Sequence, residues 1–141
     1  SGLVSIPATP TVDPITRGFR LILSDSGGVV RDVAIPAGAL SAITKVGWST
    51  NSGRTKFQYK NAGGFAGITK VQIQVSTKVP NGFAIKVGGK RGSFPLAAAR
   101  LPVHLALVLD TPSAATGQCA ERDYTGPACA FDSKANTFKC K

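Results

Sequence analysis

From Gly18 onward, apolar and polar residues alternate with a period of two, the pattern of strands that bury one face and wet the other. In GFRLILSD, Phe19, Leu21 and Leu23 share one side and Arg20, Ile22 and Ser24 the other. The turn formers Asp25, Ser26, Gly27 and Gly28 separate this run from VVRDVAI, which predicts a β-hairpin. RTKFQYK sends Phe57 and Tyr59 to one face and Arg54, Lys56, Gln58 and Lys60 to the other. In Thr69 to Val75 the apolar Val71, Ile73 and Val75 oppose Lys70, Gln72 and Gln74, an antiparallel strand wet on one side. FAIKVGG is a further alternating run. Val103 to Asp110 is the most apolar and is predicted as a central strand, with Val103, Leu105, Leu107 and Leu109 opposite His104, Ala106 and Val108. Residues Gly38 to Val46 fit a loop, a short helical turn or a bent strand; Trp48 after them is expected in the core. Two more strands are predicted around Gln118 to Tyr124 and Thr137 to Cys140. About eight to ten short strands, with turn signals near every tenth residue, predict an all-β fold, an antiparallel β-sandwich.

The first 17 residues break this rhythm. Pro7, Pro10 and Pro14 argue against helix and against a central strand, yet Leu3, Val4 and Ile6 form a short β-prone run. The segment therefore reads as an extended arm on a single sandwich domain spanning 18–141. Its apolar start is either an edge strand laid on its own domain or an assembly strand donated to a neighbouring subunit.

At 141 residues a single domain buries roughly 65 to 70% of its unfolded surface, enough for a core without staples. The apolar run Val103 to Leu109 is far short of the roughly 20 residues of a membrane-spanning helix, so no membrane span is expected. The opening SGLVSIPATP has no basic or apolar leader, and its small first residues suit a processed, exported chain. The net charge of +10 raises anionic partners. Its cations are spread along the chain, and the aromatics of RTKFQYK turn inward, where they cannot stack on bases. That argues against specific nucleic-acid binding and for a cationic exterior suited to an anionic polysaccharide or a cell surface.

Catalytic residues are scarce. His104 is the single histidine, mid-strand, with no acidic neighbour in sequence, and no GxSxG motif is present. Glu121 and Asp123 share one strand face, as solvated carboxylates do. In VGGKRGSF, Lys90 and Arg91 lie among glycines and form a possible anion-binding turn, although the sequence around them lacks the context of a phosphate loop and fits a hairpin tip better. Cys119, Cys129 and Cys140 are separated by nine and ten intervening residues, unlike the tight pairs of a structural zinc site. No catalytic residue, metal or cofactor is assigned, and the chain reads as a non-enzyme. In an oxidising compartment one disulfide is expected. Cys129 with Cys140 is favoured because Asp132 to Asn136 make a plausible turn between them; Cys119 with Cys140 is the alternative. In the favoured pairing Cys119 is expected to be buried as a small apolar residue.

The succession GWSTNSGRTKFQYKN, GITKVQIQVSTKVPNGFAIKVGGKRGSFPL, LPVHLALVLD, TGQCAERDY and CAFDSKANTFKCK resembles a β-rich, Cys-containing module near the C-termini of large secreted bacterial proteins, over about residues 47–141. The resemblance implies an extracellular or cell-surface location and a packing or attachment role. It carries over no catalytic or ligand residues. The expected function is that of a secreted structural protein forming a homo-oligomer or polymer, a filament or layer, by β-strand pairing. The alternative is an extracellular binding module for anionic polysaccharide or nucleic acid.

Overall fold

The computed structural model describes all residues except 1, 8, 10, 91–95, 97–99, 112 and 133–136. Eleven strands are present among them, one more than the upper end of the expected range. They are β1 (Gly2–Ser5), β2 (Phe19–Asp25), β3 (Gly28–Ile35), β4 (Gly47–Thr50), β5 (Lys56–Phe65), β6 (Ile68–Val75), β7 (Gly82–Gly89), β8 (Val103–Val108), β9 (Cys119–Tyr124), β10 (Cys129–Asp132) and β11 (Thr137–Cys140). The alternation in the sequence becomes three antiparallel sheets: β1-β7-β6-β5-β4, β3-β2-β8-β9, and the β10-β11 hairpin. The five- and four-stranded sheets close on one core. Phe57, Val71 and Ile73 of the first meet Phe19, Leu21 and Leu107 of the second.

The predicted hairpin forms as β2 and β3, and β8 lies between β2 and β9 as a central strand. Trp48 is buried, and the stretch before it is a turn-containing loop, held by bonds such as Leu40 N–H to the Trp48 carbonyl at 2.6 Å. Gly47 has a φ of 127° in the left-handed region, and a Cβ there would lie 2.5 Å from the Ala39 carbonyl oxygen. Only glycine fits where that loop crosses the strand.

The first residues are part of the core. β1 pairs antiparallel with β7 of the same chain, Gly2 opposite Ile85 and Ser5 opposite Gly82. Val4, Ile6 and Val12 are buried, while Leu3 is half-buried opposite Ala84. The segment is also not wholly extended, contrary to expectation. Pro14–Arg17 form one helical turn, α1, because proline is tolerated at the first helical position and Asp13 caps it, accepting from Ile15 N–H at 3.2 Å.

Cys129 and Cys140 are disulfide-bonded across directly opposed positions of the terminal hairpin. Closing a loop of this length restricts the unfolded chain by about 3 kcal/mol in the loop-entropy picture. Cys119 is a free and exposed thiol at the start of β9, not the buried apolar residue expected. Its strand alternates so that Tyr124 points inward, and Cys119, Glu121 and Asp123 share the outer face.

Candidate anion-binding face

Two groups of side chains have chemistry to offer, one on the outer face of each large sheet. On the four-stranded sheet the β8–β9 register sets His104 opposite Asp123, and Nδ1 lies 2.7 Å from the Asp123 carboxylate. Nε2 lies 3.8 Å from Glu121. Ser24 of β2 is also opposite His104, on its other side. Both ring nitrogens therefore lie near the carboxylates of β9, and among the described residues no hydrogen bond joins His104 to Ser24. The cluster is a cross-strand polar group on an open surface, with the His104 side chain 38% exposed. Farther along this face Arg20 and Asp32 form a two-pronged ion pair at 2.7 and 2.8 Å. The Arg20 guanidinium holds the Asp32 carboxyl below its ordinary value.

The outer face of the five-stranded sheet is different in kind. Phe57, Tyr59, Val71, Ile73, Phe83 and Ile85 point into the core, so the alternate positions must face water. The registers arrange those positions in three rows. Lys60 stands directly opposite Lys70, which is opposite Gly88. In the next row Ser49, Gln58, Gln72 and Lys86 are successive neighbours. In the third, Lys56 faces Gln74, which faces Ala84. Strands lie about 4.8 Å apart and rows about 7 Å apart by β-sheet geometry. The Gln58 amide donates to Gln72 at 3.4 Å and the Gln72 amide to Gln74 at 3.3 Å, tying the carboxamides into a strip among the lysines.

No acid balances these charges. Between Asp32 and Asp110 the sequence contains neither Asp nor Glu. Among the described residues no lysine takes part in any ion pair; the cations of the ion pairs are Arg17, Arg20, Arg54, Arg100 and His104. Like charges placed directly opposite on neighbouring strands destabilise a sheet, so Lys60 beside Lys70 works against folding. An anion laid between them would reverse the sign of that interaction.

The glycine-rich turn offers less. Lys90 is exposed, but its backbone N–H already donates to the Gly67 carbonyl at 3.0 Å and is not free to cradle an anion. Arg91 lies outside the described residues. A cavity between the sheets, lined by Val4, Ile85, Val87, Leu105 and Leu107 among others, measures about 50 Å³ and has room for little more than water. Among the described residues no group of three or more His, Cys, Asp or Glu side chains is placed to hold a metal ion, and no helix is long and apolar enough to cross a membrane.

The Lys60–Lys70 adjacency and the carboxamide strip were not foreseen from the sequence, although the long acid-free stretch is a signal for the first. The meeting of His104 with Asp123 had no sequence signal, since it depends on how β8 and β9 register. Comparison with protein-family models, curated proteins and solved structures finds no match.

Proposed function

We propose that this domain is an extracellular binding module that holds an anionic polymer on the outer face of its five-stranded sheet. The observation that carries this reading is the uncompensated lysine array Lys56, Lys60, Lys70 and Lys86 on strands that contain no acidic residue. Such a face concentrates polyanions near it and releases their counterions on contact. The disulfide between Cys129 and Cys140 suits an oxidising compartment. Binding to an immobilised polyuronate or heparin matrix should elute at lower salt by a clear step for the double variant Lys60→Gln/Lys70→Gln, and charge removal at Lys139, on the separate β10–β11 sheet, should shift it much less. Equal shifts for both would reduce the effect to net charge and sink the assignment of this face.

Self-assembly is a second reading, favoured by the edge position of β3. Among the described residues this eight-residue strand pairs with β2 alone, and Val29 within it is 69% exposed. A strand at the edge of a sheet is a template for another chain. Negative-stain images of concentrated protein that show only separate particles would count against it.

A further inference from the structure

The anion-binding reading leaves the class of polymer open, and the inference here rests on that reading. We infer that the ligand is an acidic polysaccharide, and that Gln58, Gln72 and Gln74 recognise its hydroxyl groups while the surrounding lysines hold its charges.

The chemistry of the face separates the candidates. A carboxamide both donates and accepts hydrogen bonds. A phosphate or sulfate oxygen at neutral pH only accepts, so a chain of such groups is served as well by lysines alone. Sugar hydroxyls donate and accept, as the carboxamides do. The strip runs directly between charges. Gln58 and Gln72 form one row ending at Lys86, flanked by the Lys60–Lys70 row on one side and by Lys56 with Gln74 on the other. A linear chain laid across the strands therefore meets ammonium groups and carboxamides within about 7 Å of one another. Gly88 has no side chain, and a Cβ there would meet nothing nearer than the Lys70 carbonyl oxygen at 4.0 Å, so the β7 end of the lysine row is open.

The features expected of a nucleic-acid surface are missing from these positions. Single strands are held by aromatic platforms on which bases stack; Phe57 and Tyr59 of β5 are turned into the core, each 1% exposed, and the third aromatic of that strand, Phe65, is 39% exposed but lies beyond the register shift after Lys60, outside the three rows. The outward positions of β5, β6 and β7 carry lysine rather than arginine, which gives point charges instead of the planar fork that pairs with phosphate in two-pronged fashion.

The experiment compares the wild-type chain with the triple variant Gln58→Ala/Gln72→Ala/Gln74→Ala and the single variant Gln72→Ser, each verified as folded by circular dichroism. The single variant preserves the test if the triple one fails to fold. The probes are a linear polyuronate, an inorganic polyphosphate and duplex DNA, at 150 mM salt. The expected result is tighter binding of polyuronate than of the other two at matched charge. The triple variant should lose it about tenfold or more, and Gln72→Ser severalfold, while polyphosphate affinity stays within about twofold. Equal losses on all probes, no loss on polyuronate, or tighter binding of DNA or polyphosphate would overturn the inference. If the lysine variants still weaken binding in those cases, the anion-binding reading survives without it. Absence of binding to every probe would remove both.

Discussion

Trp48→Ala is expected to lower stability by about 3 to 5 kcal/mol, a large share of the roughly 5 to 15 kcal/mol that holds a typical domain folded. The indole is 1% exposed. It meets Phe19 edge-on at a centroid distance of 6.1 Å and Tyr59 at 5.4 Å. Its Nε1 donates to the Pro36 carbonyl at 3.0 Å. One side chain of β4 therefore joins its own sheet, through Tyr59 of β5, to the opposite sheet, through Phe19 of β2, and fastens the chain just beyond β3. Truncation leaves a void between the sheets and a carbonyl without its donor. Trp48→Phe keeps much of the volume but not the hydrogen bond, so its loss should be smaller, with about 0.5 to 1.5 kcal/mol of it from that bond. Urea denaturation measures both. A loss below about 1 kcal/mol for the alanine variant would show that the sheets close without this anchor.

Removal of residues 1–13 should have a still larger effect and abolish the cooperative melt. Ile6→Ala alone is expected to cost about 2 to 5 kcal/mol, because Ile6 is 1% exposed in the shared core. The truncation also takes Val4 and Val12 from that core and the whole of β1 from the edge of β7. It removes the Leu3 carbonyl that accepts from Arg122 at 3.0 Å and the Pro7 carbonyl that accepts from the buried Gln118 amide at 3.3 Å. Asp13, which caps α1 and pairs with Arg54 at 2.8 Å, goes with them. Circular dichroism during heating reports the loss, and a truncated chain that melts within a few degrees of the whole one would make the first strand an ornament. A synthetic peptide of residues 1–13 added in trans should restore the transition if β1 can be supplied by another molecule. Failure to do so would confine β1 to its own chain and weaken strand donation as a route to assembly.

These experiments bear on how much a sequence of this kind discloses. The faces of β2, β5, β6 and β8 were readable because period-two alternation follows directly from the pleat: Phe57 and Tyr59 inward, Lys56 and Gln58 outward. The β10–β11 disulfide was readable because turn-forming residues separate Cys129 from Cys140, so local geometry almost closes the bond. The helical turn at Pro14 was hidden because proline excludes helix interiors but suits a first turn, and only the Asp13 cap decides between them. Cys119 was misplaced since apolar character argues for burial, whereas the parity of β9 is set by Tyr124 pointing inward.

The composition and alternation of this chain determined by themselves that it is all-β, that its strands have wet and dry faces, and that its surface is cationic. Those properties depend on near neighbours along the chain. Which lysine stands beside which, and that a carboxamide strip runs among them, was decided by the registers of β5 with β6 and of β6 with β7. A one-residue slip would turn every one of these side chains to the other face. That register is held by the burial of Phe57, Tyr59, Val71, Ile73 and Ile85 against the opposite sheet, so the charged face exists because the apolar one has found its partner.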